Sequence, residues 1–290
     1  MKDYFGYKGK RVVITGAASG MAQAAAKMLV DLGAEVYALD IKQVTVPVKQ
    51  YIKTDLKQKN SIDAAVKQIP GNLYAVFSCA GISAPPFSNL EVTLVNFVGA
   101  RHLIESLLPK INDRGAIALI SSQGGVNWKN RFDTLKPLLA TRGFDEARAW
   151  LEANEEVNDG YEFSKQCINA YVKTHAKELA KRLIRINCTM PGSTDTGLMG
   201  PFREDGVIPK DAPRFDKDTE DMIRGVLATI KPLSGHHATA EEQAEPLVFL
   251  NSNMARHISG VDFCVDFAYI ASVEAGQTPN IFGINTVNLE

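Results

Sequence analysis

The sequence predicts a doubly wound α/β fold, a Rossmann-like parallel sheet, and three observations carry that prediction. Short β-rich apolar runs alternate with longer amphipathic stretches along the whole chain, the pattern of a parallel sheet covered by helices on both faces. The first run opens into a glycine-bearing turn and a helix, and the second ends in an acidic residue. The polar motifs fall just past the carboxyl ends of the strands, where such sheets bind ligands. No Pro-, Gly- or Ser-rich linker, charge block or repeat interrupts the alternation. Residues 1–290 are therefore read as one domain.

Arg11-Val12-Val13-Ile14-Thr15 is a short apolar run, read as a buried strand. The turn Gly16-Ala17-Ala18-Ser19-Gly20-Met21 follows, then a helix from Gln23 to Leu32 closed by Gly33, then a second strand from Glu35 to Asp40. In this βαβ unit Gly16 and Gly20 let the backbone turn tightly and approach a pyrophosphate. The helix start around Ser19 and Met21 faces that anion with free N–H groups. Asp40 can accept hydrogen bonds from both ribose hydroxyls and would repel a 2′-phosphate. Neither Ser19 nor Ile41 is basic, so NAD is favoured over NADP, with Lys42 the one nearby cation.

The second crossover is too short for a full helix. A third strand, Tyr51 to Thr54, ends in Asp55-Leu56, and a helix from Asn60 to Ile69 follows, with Ser61 as its expected cap. Leu73 to Ser78 is a fourth strand that breaks into Cys79-Ala80-Gly81. After a loop with Pro85 and Pro86 comes a helix containing Asn96-Phe97-Val98-Gly99. An asparagine inside an apolar helix needs a partner, and structural water is a common one. Ala116 to Ile120 is a fifth strand, ending in Ser121-Ser122.

Before the next core helix lies an insertion, residues 124–158. It carries Trp128, Phe132 and helices around Leu135–Ala140 and Asp145–Glu155, the second with an apolar stripe of Phe144, Ala147 and Leu151. A surface lobe, a pocket wall and an altered subunit interface all fit it. Asn158-Asp159-Gly160 then starts a long amphipathic helix, Tyr161 to about Leu183. A sixth strand, Ile184 to Thr189, leads into Pro191-Gly192-Ser193-Thr194-Asp195-Thr196. Residues 197–230 follow this loop directly and are placed to be a lid. Leu198, Met199 and Phe202 in it, with Gln123 and Trp128, are the candidates for substrate contact, and they describe an apolar pocket. A helix from Ala238 to Leu250 and a strand from Val261 to Asp266 precede a tail, 267–290, that either closes over a pocket or extends an interface.

Tyr161 and Lys165 are spaced i, i+4, one turn apart on one helix face. A free phenol, with a pKa near ~10, is a poor base at neutral pH. An ammonium one turn away favours the phenolate and is expected to lower that value.

The composition removes other classes. Net charge is −1 and the sequence pI about 6.5, which gives no electrostatic case for nucleic acid or a membrane surface. Cys79, Cys167, Cys188 and Cys264 are scattered in apolar stretches without metal-ligand spacing. They read as reduced and mostly buried, which fits a cytoplasmic location. No metal ligand set is expected; the adjacent His236 and His237 read as loop residues. The start, MKDYFGYKGK, lacks a signal-peptide core, no apolar run reaches ~18 residues, and Leu289-Glu290 reads as a cloning remnant.

Taken together, Thr15-Gly16-x-x-x-Gly20, Asp55-Leu56, Cys79-Ala80-Gly81, Asn96-x-x-Gly99, Ser121-Ser122, Tyr161-x-x-x-Lys165 and Pro191-Gly192-x-x-x-Thr196 resemble the short-chain dehydrogenase/reductase family along nearly the full chain. The resemblance implies hydride transfer between a nicotinamide and a carbinol carbon. In it Tyr161 is the general acid/base and Lys165 its pKa-lowering partner and ribose ligand. Ser122 holds the substrate oxygen, Asn96 holds a relay water, Asp55 meets the adenine, and Thr194 and Thr196 the nicotinamide side. Ala22 stands at the third glycine position, Ser78-Cys79 replaces two asparagines, and Phe267-Ala268 replaces two glycines. The long insertion, short second crossover and Cys-Ala-Gly motif are similar to the bacterial 3α-hydroxysteroid dehydrogenase/carbonyl reductase branch, and coniferyl-alcohol dehydrogenases look similar too. That branch implies a homodimer through the last helix and strand, a homotetramer remaining open. The expected substrate is a hydroxysteroid or similar cyclic alcohol or its ketone. The alternatives are an aromatic or terpenoid alcohol, or a protein that senses NAD without turnover.

Overall fold

The computed structural model describes residues 3–83, 86–195 and 233–287. Seven parallel strands form one sheet: β1 Arg11–Thr15, β2 Glu35–Asp40, β3 Gln50–Lys53, β4 Leu73–Ser78, β5 Ile111–Ile120, β6 Arg185–Pro191 and β7 Asp262–Val265, in the order β3-β2-β1-β4-β5-β6-β7. The chain winds outward from β1 to β3 and then restarts on the other side of β1. The switch point between β1 and β4 is where a doubly wound sheet opens its ligand crevice.

Alternation along the strands makes two dry layers. Val12 and Ile14, Val36 and Ala38, Ala75 and Phe77, and Ala116 and Ala118 face α1 (Gly20–Asp31) and α8 (Ala240–Asn251). Val13, Val76, Ile117 and Leu119 face the other way, toward α2 (Lys59–Gln68), α4 (Ala100–Leu107) and α7 (Tyr161–Leu179). The first layer is rich in alanine on both sides, including Ala24, Ala25 and Ala26 of α1, so helix and sheet approach closely.

Several element boundaries differ from the sequence reading. Helix α1 begins at Gly20, three residues early, because Gly20 takes a left-handed φ of 56° and turns straight into it. Ser61 does not cap α2. It lies inside the helix, and its hydroxyl accepts the Asp55 N–H at 2.9 Å. The Asn96 region is α3 (Asn89–Thr93), a π-helical turn over Leu94–Gly99, and then α4. Strand β5 starts at Ile111, earlier than its apolar run, passing through Arg114 at a φ of 65°. Cys264 is exposed rather than buried.

The insertion folds as a helix pair, α5 (Phe132–Ala140) and α6 (Gly143–Ala153), packed on α4 and α7. Leu135, Leu138, Phe144, Ala147 and Leu151 are buried in the same cluster as the sheet face beneath. Trp150 stacks on Phe163 of α7, with ring centres 6.4 Å apart. Arg101 of α4, only 2% exposed, holds the pair from below. Its guanidinium donates to the Leu138, Leu139 and Gly143 carbonyls and to Thr141 Oγ1. Leu138 and Leu139 close the last turn of α5, whose carbonyls lack helical partners and favour a cation.

Downstream, α9 (Tyr269–Glu274) turns the tail back onto the start of the insertion. Tyr269, Ile270, Val273 and Ile284 form a small core with Val126 and Phe282.

Candidate active site

The predicted motifs gather along the carboxyl edge of the sheet. Thr15, the last residue of β1, accepts the N–H groups of Cys79 and Ala80 on its Oγ1, both at 3.0 Å. The Thr15 side chain thus ties β1 to the backbone after β4 and braces the switch point where Ser78-Cys79 stands. Gly16 has φ 78°, and a Cβ there would come within 2.8 Å of the Ala80 Cα. Ser19 precedes α1 in extended conformation with no side-chain cap. Its first turn keeps N–H groups for an anion.

Asp40 bridges two backbones. Oδ2 accepts the Ala18 N–H at 3.0 Å and Oδ1 the Lys42 N–H at 2.8 Å, so the carboxylate is fixed beside the glycine turn with lone pairs to spare. Ile41 next to it is exposed. Asp55 is held through its Oδ1, which accepts the Lys57 N–H at 2.9 Å. The Leu56 carbonyl presses on the helix opposite, where a Cβ on Gly99 would stand only 2.1 Å from its oxygen. Gly16, Gly20, the open helix terminus and Asp40 thus fit a dinucleotide: close backbone approach, unpaired N–H donors and a fixed hydroxyl acceptor.

The reacting centre forms where β4, β5 and α7 meet. Gly160, at φ 80°, admits the chain into α7, and the Asp159 carboxylate accepts the Phe163 N–H at 2.8 Å to close the helix start. Tyr161 is therefore the first residue of a firmly started helix. Ser122 lies beside it: a Cβ on Gly124 would stand 3.8 Å from both Ser122 Oγ and the Tyr161 ring, and Ser122 Oγ accepts the Gly124 N–H at 3.2 Å. Lys165 lies one turn on, its Nζ 5.4 Å from the Tyr161 ring centre and donating to the Ile120 carbonyl at 3.0 Å. Gly81 faces this group, with a Cβ there only 3.6 Å from Lys165 Nζ.

One expectation changes here. Burial raises the Tyr161 pKa and outweighs the opposing influence of Ser122, rather than Lys165 lowering it. Burial also brings Lys165 itself down to about 8. Asn96 is buried and fixed by its side-chain amide. The amide donates to the Ile82 carbonyl (3.0 Å) and Ser164 Oγ (3.1 Å), and Oδ1 accepts the Ile82 N–H (2.9 Å). Sequence reasoning missed Ser164, whose place between Tyr161 and Lys165 in the motif was the available signal. Its hydroxyl also donates to the Tyr161 carbonyl at 2.7 Å.

After β6, the Gly192 N–H donates to the Val265 carbonyl at 3.0 Å, and Thr194 Oγ1 to the Gly192 carbonyl at 2.8 Å. Ser193 pairs with His237 Nδ1 at 2.8 Å, and Thr194 bridges to Ala238. Pro191, Gly192 and Thr194 so line one short loop. Thr196, Leu198, Met199, Phe202 and the expected lid 197–230 lie outside the described residues. Gln123 and Trp128 do not present their polar groups to a pocket. The Gln123 amide donates to Asp266 Oδ2 at 3.1 Å, and Trp128 Nε1 to Asp262 Oδ2 at 3.3 Å on the edge strand.

Comparison with known proteins extends this picture. Residues 10–132 match the family model of short chain dehydrogenases, and residues 149–269 match that of the enoyl-(acyl carrier protein) reductases. The chain is 28% identical over 259 residues to a coniferyl-alcohol dehydrogenase of Pseudomonas sp. strain HR199, covering 89% of this chain and 95% of that one. It is 25% identical over 277 residues to a 3-alpha-hydroxysteroid dehydrogenase/carbonyl reductase of Comamonas testosteroni, covering 93% and 99%. Among solved structures, the 3-alpha-hydroxysteroid dehydrogenase from Pseudomonas sp. B-0831, complexed with NADH, superposes with a TM-score of 0.73 at 22% identity, over 93% of this chain and all of that one. That likeness is one of fold.

Proposed function

Because the chain belongs to the short-chain dehydrogenase family, we propose that it interconverts a cyclic secondary alcohol, such as a hydroxysteroid, and its ketone, using NAD. It is an oxidoreductase of CH–OH groups; the substrate and the choice of NAD are the parts proposed. The observation that carries the reading is the half-buried Tyr161 phenol beside Ser122, with Lys165 one turn along the same helix.

A nicotinamide in this crevice supplies the acceptor or donor of the hydride. Gly16, Ser19, Gly20 and Met21 would hold the pyrophosphate, and Asp40 the adenosine ribose. Asp55 and Leu56 would flank the adenine side, and the Cys79-Ala80-Gly81 turn would line the cofactor between them and Lys165. Pro191, Gly192, Thr194 and Thr196 would flank the nicotinamide, and Lys165 would reach its ribose. In oxidation Tyr161 takes the proton from the substrate hydroxyl, and in reduction it returns it. Ser122 donates to the substrate oxygen as it becomes a carbonyl. A Lys165 that burial has brought to about 8 responds to small changes in local charge near neutral pH. The Asp40 carboxylate supports NAD over NADP, since a 2′-phosphate there would meet a fixed negative charge.

A second reading, an aromatic alcohol as substrate, is favoured by the likeness to coniferyl-alcohol dehydrogenase. We expect the assembly to be a homodimer through α8 and β7. The test is NADH formation by purified protein over hydroxysteroids, bile acids, aromatic alcohols and terpene alcohols, with NADP⁺ in parallel. Turnover of a cyclic secondary alcohol with NAD⁺ is expected; turnover only with NADP⁺ would overturn the role of Asp40. Tyr161→Phe should keep NADH binding and lose turnover by ~10²–10⁴-fold, the usual worth of general acid–base catalysis. A protein that only senses NAD would be unchanged by it.

A further inference from the structure

We propose that the C-terminal segment beyond β7 positions the Ser122 loop, acting through Asp266 and Gln123. Its consequence for turnover rests on the oxidoreductase reading; the coupling itself does not.

Asp266 follows β7 and is 7% exposed. Its Oδ2 accepts two hydrogen bonds, from Gln123 Nε2 at 3.1 Å and from the Ile270 N–H at 2.9 Å. It forms no salt bridge among the described residues. These two donors stabilise a buried carboxylate, and such charge-assisted bonds are the stronger kind. One oxygen thus joins the residue after Ser122 to the first turn of α9. The same residue lies against the loop after β6: a Cβ on Gly192 would come 2.8 Å from the Asp266 Cβ and 3.5 Å from Gln123 Nε2.

The turn after Asp266 is strained. Phe267 and Ala268 both take left-handed φ, 48° and 68°, where neither has glycine's freedom. Phe267 is 70% exposed, so ring packing does not hold it there. Such conformations persist where the surroundings over-determine them. Here the surroundings are the Asp266 bonds and the core of Tyr269, Ile270, Val273 and Ile284. That core takes in Val126, and Gly283 lies near the Asn127 amide. The tail therefore grips the 123–127 segment at Gln123, Val126 and Asn127. Ser122 is the upstream end of that segment, and its Oγ direction is set from within it by the Gly124 N–H. A tail that only filled surface would not need the buried Asp266–Gln123 link.

The test compares wild type with Gln123→Leu, Asp266→Leu and Asp266→Asn. Two readouts are taken: amide hydrogen exchange by mass spectrometry over residues 121–128 and 11–40, and kcat and KM for dinucleotide and alcohol. For Gln123→Leu and Asp266→Leu, faster exchange over 121–128 with 11–40 unchanged is expected. A kcat about 10–100-fold lower at unaltered dinucleotide KM should accompany it, since small misplacements of reacting groups cost on this scale. Asp266→Asn, whose amide oxygen still accepts both donors, should recover most of the loss. Unchanged exchange over 121–128 in Gln123→Leu overturns the proposal, as does faster exchange with wild-type kcat. Should Asp266→Leu not fold, Gln123→Leu decides alone, since it removes one donor and no charge. Silence of the wild type with every alcohol would be failure of the oxidoreductase reading, and exchange would then decide the coupling by itself.

Discussion

Lys165 carries an ammonium that burial disfavours, and this has a sign that can be measured. Its folded pKa is about 8, below its ordinary 10.5. Below about pH 8 both folded and unfolded chains hold the proton, so the folded state bears the full cost of the buried charge. Between about 8 and 10.5 the folded chain sheds the proton first, and stability from this group rises with pH. Lys165→Met should therefore be more stable than wild type at about pH 7, by roughly 2 kcal/mol after loss of the Ile120 hydrogen bond. The advantage should shrink toward about pH 10, and turnover should be lost throughout. Urea midpoints at the two pH values check it. The residue types were legible in the sequence because proton transfer demands particular side chains at particular spacings, as at Tyr161, Lys165 and Ser122. Their partners were not. Ser164 bonding Asn96, and Gln123 turned to Asp266, depend on rotamers and on contacts between distant parts of the chain, which no local spacing encodes.

At the scale of elements, the strands were readable because burial on both faces forces continuous apolar runs, as in Arg11–Thr15 and Leu73–Ser78. The π-helical turn over Leu94–Gly99 was not, since Leu94, Asn96, Phe97, Val98 and Gly99 are all buried and leave no polar face from which to read a period. It sits where Gly99 lets the Leu56 carbonyl approach. Gly99→Ala would drive a methyl into that oxygen and should cost about 1–3 kcal/mol, the range for overpacking. It should also weaken dinucleotide binding, because Leu56 follows Asp55; calorimetric titration with NADH measures the second effect. Arg101 is the corresponding anchor of the insertion. Arg101→Met takes the donor from the Leu139 and Gly143 carbonyls and from Thr141 Oγ1, while Leu138 keeps the Thr141 donors, and should cost about 1–3 kcal/mol, the cost of buried acceptors left unpaired. The loss should be local first, seen as early protease cleavage between α5 and α6. Lysine should not rescue it, since one ammonium cannot span the fork.

For the whole molecule, the open question is which surface meets a second copy. Strand β7 ends the sheet, and Phe263 on it is 43% exposed. Phe267, just past its end, is also exposed. An unpaired edge with apolar side chains invites pairing, so the dimer is expected there. Phe263→Lys should shift sedimentation from dimer toward monomer while the far edge strand, β3, is unaffected. A wild type that sediments as a monomer at micromolar concentration would refute this.

The opposite flank behaves differently, because α5 and α6 are joined covalently to the helices they cover. A cover supplied by another molecule leaves on dilution, by mass action. One tethered at both ends has an effective concentration fixed by its connections. The α4–α7 flank thus keeps its apolar seam dry at any protein concentration, and resistance of the α5–α6 connection to protease should not change on dilution.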